Sequence, residues 1–371
     1  MNPRALVCTA FLAVLPGACS PTCGFADDSA ASIAAGGLVP RRETRIVMAK
    51  EVLRISPTKI VVDYDFRNDT DEDVTTEVAF PIPPYGYGPD SPEISDASFS
   101  GFKLFVDGKP VAYRTEAKAT LKSKDVTAIL TADRIDIASF GHLREGQGPN
   151  HVWHVHTADV ERLPKTEQQH LAKLGLFDAV DGWGMWDAHV QYHWTQTFPA
   201  RSTVHIRHEY APVRGFNPVD LGVVDGLLAH LTKGREIQKD DIEGAKLLES
   251  FCTDRPFLSA LSKYLRENQS TAKTDSDEQM AGVVYPEWVD FILTSANTWK
   301  QPIEDFTLIV ERGKPDPNQY QTRLVSFCPP QNTPVEKLDA DHFQVHLTNF
   351  VPTSELRIGF FDLPDAKSPG H

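Results

Sequence analysis

Apolar residues recur at every second position over long stretches of this chain, and that period commits most of it to strands with one buried face. Ile60, Val62, Tyr64 and Phe66 share one face, with Lys59, Asp63 and Asp65 on the other. After the polar stretch 68–73, Val74, Thr76, Val78 and Phe80 repeat the alternation, so the two runs predict a hairpin. Pro81, Pro83 and Pro84 then remove amide donors and end the pairing. Phe102, Leu104 and Val106 predict another strand, turned at Asp107-Gly108 into a strand from Val111 to Thr115, because Asp-Gly suits a tight hairpin turn.

A second β region begins near Ala188, where Val190, Tyr192 and Trp194 alternate with His189, Gln191 and His193. Val204, Ile206, His208 and Tyr210 predict its partner strand. Further strands follow at 283–293, 306–310, 343–347 and 356–361. Thr166-Glu-Gln-Gln169 has capping-box spacing, and Gly175 can end that helix in a left-handed conformation. Phe257, Leu258, Leu261, Tyr264 and Leu265 keep the spacing of one helix face. The expected fold is therefore mainly β: antiparallel sandwich regions, two in number, with a helical insertion. Residues 27–160 make the first sandwich-like region. Residues 161–365 make a second β-rich region with helical segments near 166–174 and 219–270, and 366–371 are a flexible tail.

The amino-terminal 26 residues read as a signal peptide. Arg4 supplies the positive start, 5–15 is an apolar run too short to span a bilayer, and small residues Gly24 and Ala26 precede Asp27 at the positions a signal peptidase requires. Cleavage is expected after Ala26, with lipidation of Cys19 as the competing reading. Removing 1–26 removes one Arg and no acid, leaving 36 basic against 51 acidic residues, or −15. Such a surface disfavours nucleic acid and anionic lipid, and no later run is long and apolar enough for a transmembrane segment. The expected setting is periplasmic or secreted, and the partner is an unspecified envelope or extracellular one. Of five cysteines only Cys252 and Cys328 survive cleavage, and in an oxidising compartment they are expected to pair. Cys252 ends an amphipathic stretch and is expected to point inward.

Histidine is the one chemical residue type that clusters, at His151, His154 and His156, then His189 and His193, then His205 and His208. Strand residues two or four apart share a face, so His154 with His156, or His189 with His193, could offer imidazoles to zinc. The competing reading is that His189 and His193 are solvated on the polar face of an alternating strand, and no metal or cofactor is assigned. No Gly-x-Ser-x-Gly elbow, phosphate loop or dinucleotide fingerprint is present. Tyr85 and Tyr87, in a loop bounded by Pro and Gly, are the candidate partner-binding residues, with both rings expected to be exposed. Trp183 and Trp186 are expected to cover a sheet edge or fill the domain interface.

Several ordered segments resemble one bacterial family. These are 26–39, beginning Ala26-Asp-Asp-Ser; 66–81, beginning Phe66-Arg-Asn-Asp-Thr; 193–200, beginning His193-Trp-Thr-Gln; Val325-Ser-Phe-Cys328; and 348–353, beginning Thr348-Asn-Phe-Val. They look like the exported family catalogued as domain of unknown function 4424, which implies an exported protein and transfers no catalytic residues. The hairpin ending in Phe80-Pro81 and the stretch Gly101 to Gly108 also resemble the vault protein inter-α-trypsin domain, an extracellular β-sandwich. The functional expectation is an exported, non-catalytic binding or structural protein of the bacterial envelope. The alternative is a secreted hydrolase or metal-dependent enzyme built on His154, His156, His189 and His193. It would require a concave pocket gathering His154 or His156 with His193 or His208.

Overall fold

The computed structural model describes residues 29–34, 37–86, 101–138, 142–145, 153–180, 182–271, 281–315 and 320–364. The expected signal peptide and its cleavage site lie outside them, as do Tyr87 and His151. The protein is mainly β. In chain order its principal strands are β1 (Ser29–Ala34), β2 (Gly37–Pro40), β3 (Ile46–Ile55), β4 (Ile60–Asn68), β5 (Val74–Pro81), β6 (Lys103–Val106), β7 (Arg114–Leu121), β8 (Asp187–Phe198) and β9 (Ser202–Tyr210). After the main helices come β10 (Pro286–Phe291), β11 (Ile303–Glu311), β12 (Tyr320–Phe327), β13 (His342–Phe350) and β14 (Leu356–Pro364). The helices are α1 (Lys165–Lys173), α2 (Leu221–Lys233), α3 (Ile242–Ser250) and α4 (Arg255–Thr271).

Three sheets carry the fold. The first runs β7-β8-β5-β1-β2, and the second β13-β11-β3-β4-β9-β6. Their inner faces meet ring against ring: Phe66 on Phe198 at 5.7 Å between centroids, Phe102 on Tyr192 at 3.9 Å, and Phe80 on His208 at 4.7 Å. The third sheet places β10, β14 and β12 side by side. Alternation gives each of its faces a different partner. Phe291, Ile358 and Phe360 join the sandwich core, whereas Trp288, Phe361 and Leu363 join a second core roofed by α2, α3 and α4. The pairing of β3 with β11 is parallel; the other principal pairings are antiparallel.

This topology corrects three sequence expectations. First, β4 and β5 are not a hairpin, since β4 pairs with β3 and β9 in the second sheet while β5 pairs with β8 and β1 in the first. Second, β8 and β9 lie in opposite sheets, with β9 pairing β4 and β6. Both polar breaks are corners at which a two-stranded ribbon bends from one sheet to the other. Buried Asn68 pins the corner: its Nδ2 donates to the carbonyls of Glu72 and Phe198 at 2.9 Å each, and its Oδ1 accepts from the Thr70 amide and hydroxyl. Third, residues 27–160 and 161–365 do not separate, because β8, β9 and β11 complete sheets begun by β3, β4 and β5. The hairpin at Asp107-Gly108 does form, with both residues at positive φ (49° and 75°), the left-handed pair a tight primed turn needs. Beyond it the chain crosses to the first sheet as β7. Helix α1 starts at Lys165 behind Pro164 and has no side-chain cap from Thr166. No helix among the described residues is long and apolar enough to cross a membrane.

Cys252 and Cys328 form a disulfide with Cα atoms 5.0 Å apart, joining the end of α3 to the end of β12. Cys252 is exposed rather than inward, because the helix stops at Ser250 and Cys252 takes a left-handed φ of 51°.

Candidate functional site

The outer face of the first sheet is formed by the positions of β5, β7 and β8 that alternate away from the core. Register sets the pairs: Asp187 opposite Thr120, His189 opposite Lys118, Gln191 opposite Glu116 and His193 opposite Arg114. Laid flat, β2 would stand four strand spacings from β7, roughly 19 Å. Yet the Leu38 amide donates to Glu116 Oε2 at 2.9 Å. The β1–β2 hairpin must therefore curl over the face rather than extend it. Ala31, Leu38 and Ala79 close together beneath that curl, two of them small enough to permit the approach.

Between the hairpin and the sheet lies a cavity of about 180 Å³. Its roof and apolar wall come from Ala31, Leu38, Pro40, Ala79, Pro81 and Pro84. Its polar end comes from Lys118, His189 and Gln191. The prolines serve the site twice, since they donate no amide into the cavity and their fixed φ stops β5 from filling it. Glu116 is held by three donors, Leu38 N, Gln191 Nε2 (2.7 Å) and Lys118 Nζ (3.5 Å), so it tethers the roof to the floor.

The histidines take separate posts. His189 shares a 2.9 Å hydrogen bond between Nε2 and the Thr120 hydroxyl. Burial lowers its pKa from the ordinary 6.5; Asp187 and Asp125 oppose that shift and Lys118 adds to it. His193 is not solvated as the alternation predicts but only 9% exposed, with Nδ1 2.6 Å from Glu77 Oε1. Burial alone would raise Glu77; hydrogen bonds from His193 and Thr195 and the charge of Arg114 outweigh it and hold the carboxyl below its usual value. His205 faces outward on the second sheet against Asp65, and His208 is buried in the core among Tyr64, Phe80, Phe102 and Trp194. His154 and His156 lie on a short strand whose side chains are outside the described set.

His189 and His193 do share a face, but four residues along a strand separate them by roughly 13 Å, too far for one metal ion. No group of three metal-competent side chains occurs among the described residues. His193 lies on the outer face of the first sheet and His208 in the core behind it, so they do not converge in one pocket.

Tyr85 corrects another expectation. It pairs with Ala188 in the first sheet, its ring is 1% exposed, and its hydroxyl donates to the Ala138 carbonyl. Pairing with the first residues of β8 turns the side chain inward, which Pro and Gly neighbours alone conceal. Trp186 fills the interior, its Nε1 donating to the Ile137 carbonyl at 3.2 Å. The cavity itself escaped the sequence reading because its roof comes from a hairpin whose curl no periodicity records.

The family model described as Domain of unknown function (DUF4424) matches residues 26–358. The chain belongs to that family. No curated protein matches the sequence. Among solved structures, the chain is similar at a low level to the crystal structure of a protein from Legionella pneumophila, provisionally called a nutrient binding protein. The two share 14% identity with a TM-score of 0.39, over 91% of this chain and 70% of that one. At that score the likeness carries no argument about this DUF4424 protein.

The different surroundings of the histidines set an expected titration order. In ring proton NMR spectra His189 should titrate below 6.5 and His342, hydrogen-bonded to the Asp339 carboxylate, above it. A depressed folded pKa means the unfolded chain takes the proton first. His189 therefore contributes stability above 6.5 that is lost as pH falls from there toward its folded value. His342 has the opposite sign: its contribution is present below 6.5 and lost as pH rises through its folded pKa. Coincident midpoints for the two rings would contradict the burial assigned to His189.

Proposed function

We propose that this protein is an exported, non-catalytic binding protein of the bacterial cell envelope, and that the cleft under the β1–β2 hairpin is its binding site. The observation that carries the reading is the cleft itself: a cavity of about 180 Å³ with an apolar wall of small residues and one polar end at Lys118, His189 and Gln191. Small-molecule sites share that design, an apolar enclosure with a few placed polar groups. The non-catalytic reading is supported by the separate engagement of His189 with Thr120 and of His193 with Glu77, which leaves them about two strand repeats apart. Export is supported by the leader-like residues 1–26 and by a cysteine pair oxidised across two elements.

A ligand-observed NMR screen of amphiphiles with up to about ten non-hydrogen atoms, a size matched to the cavity, should yield binders. Ala79→Phe, which places a ring in the cleft, should abolish their signals while thermal unfolding stays cooperative. A panel without a single binder, or binding untouched by Ala79→Phe, would contradict the site. For export, cell fractionation with intact-mass analysis should find the chain in the periplasm or medium beginning at Asp27. A cytoplasmic chain retaining residues 1–26 would contradict it, and an acylated Cys19 would replace cleavage with membrane anchoring.

A further inference from the structure

The ionised groups at the polar end of the cleft are already matched to one another. Lys118 lines the cleft and holds its ammonium 3.5 Å from Glu116 Oε1. The other oxygen of that carboxylate, Oε2, accepts from the Leu38 amide of the roof and from Gln191 Nε2. An anionic ligand would compete with Glu116 for the ammonium and loosen the carboxylate that ties roof to floor. A cationic ligand would stand beside Lys118, and no described residue lining the cleft is acidic. Either one adds an uncompensated charge to a partly enclosed site, a cost that an uncharged occupant avoids.

Two polar groups are left to recognise it. His189 and Gln191 both line the cleft and stand two residues apart on one face of β8, roughly 7 Å. Burial lowers the His189 pKa from 6.5, so the ring is neutral at pH 7. Its Nε2 is bonded to the Thr120 hydroxyl, and its Nδ1 has no hydrogen-bond partner among the described residues. With Thr120 donating to Nε2, Nδ1 carries the proton and is a donor. Gln191 is fixed the other way: the Glu116 carboxylate accepts, so the group facing it is the amide NH2, and Oε1 is the acceptor that remains. A ligand head must therefore accept at His189 and donate at Gln191. A primary carboxamide, whose acceptor and donor are separate atoms, spans that interval more readily than a single hydroxyl oxygen. The apolar part has room for a short aliphatic group, since a cavity of roughly 150 Å³ admits benzene and this one is about 180 Å³.

We propose that the cleft takes an uncharged, short aliphatic carboxamide, its carbonyl accepting from His189 Nδ1, its NH2 donating to Gln191 Oε1, and its chain against Ala31, Leu38 and Ala79. The assignment rests on the cleft being a binding site and adds the chemical class of its occupant. Lys118 and Glu116 stay paired with each other and serve the roof rather than the ligand.

Calorimetry with four compounds that share one branched chain separates the terms: 4-methylpentanamide; 5-methylhexan-2-one, in which methyl replaces the amide NH2; and the charged 4-methylpentanoate and 4-methylpentan-1-amine. The amide is expected to bind at least about tenfold tighter than either charged compound, and roughly 2–10-fold tighter than the ketone, the range for one hydrogen bond. Gln191→Leu should bring the amide down to the level of the ketone and leave the ketone unchanged, which also reports an intact cleft. His189→Phe should weaken both. Thermal unfolding of each variant is checked against the parent, and the comparison of the four compounds on the unaltered protein stands whatever the variants do. Either charged compound matching the amide, or an amide no tighter than the ketone, would overturn the carboxamide assignment. If the ketone binds as well as the amide, and Ala79→Phe blocks both, the cleft stands and the head-group assignment falls. If neither these four compounds nor any other amphiphile binds, both fall.

Discussion

Protein carrying Cys252→Ser and Cys328→Ser should lose as much as about 4.5 kcal/mol of stability, the chain-entropy value for a bridge of this span. The two cysteines are 76 residues apart in sequence, and the loop they close contains α4, β10 and β11. The helical roof on the third sheet is otherwise held mainly by apolar contact. Phe251, next to Cys252, packs 5.7 Å from Phe361 and directly over Gly359, where an added Cβ would meet its ring at 2.8 Å. Losing the bond leaves that packing in place and frees the unfolded chain, so the m-value should rise as the denaturation midpoint falls. Urea unfolding with and without a reductant measures the effect on the native protein. A loss under about 1 kcal/mol would mean that the unfolded ensemble stays compact around the helical segment.

Trp299→Ala should cost about 3–5 kcal/mol, the range for removing a fully buried large aromatic side chain. Its indole lies 4.6 Å from the Phe66 ring and 6.1 Å from Phe198, beside the corner where both strands of the ribbon bend between sheets. The same segment holds the roof of the cleft. The Thr298 hydroxyl accepts from the Ala30 amide at 3.1 Å, and the Thr298 carbonyl accepts from Glu43. The substitution should therefore also raise amide exchange across β1, paired with β5 only at 29–31 and with β2 only at 31–34, more than across β11, which is paired along most of its length on both sides. Chemical denaturation gives the first number and hydrogen exchange the second. A loss under about 2 kcal/mol would show that the corner does not depend on this packing.

What the sequence revealed and what it hid follow from the meaning of its periodicity. Period two identifies faces, and the inward residues of β4, β8 and β9 were legible for that reason. It does not name neighbours: a polar break that reverses a strand into a hairpin reads the same as one that bends a ribbon between sheets. The difference at 68–73 lies in Asn68, whose amide satisfies four backbone and side-chain partners at the bend. The outward direction of His193 was likewise legible, but not its engagement by Glu77 of β5 and its place opposite Arg114 of β7, which only the register of neighbouring strands decides. Tyr85 was misjudged because two residues of pairing suffice to turn a ring inward, fewer than any sequence window can resolve. The Cys252–Cys328 pairing was legible because cleavage after Ala26 would leave no other thiols to choose from. Lys118 carried no local signal at all. It becomes a site residue only through the register that sets it opposite His189 and through the hairpin that encloses both.

Chemical-shift mapping of the isotope-labelled protein titrated with the tightest binder of the amphiphile screen tests the binding cleft most directly. The expected result is a saturable set of amide shifts confined to Ala31, Leu38, Ala79, Lys118, His189 and Gln191 and their strand neighbours, absent from Ala79→Phe. Shifts centred elsewhere, such as around Trp288 and Pro212, or an unchanged spectrum at saturating amphiphile, would contradict the account.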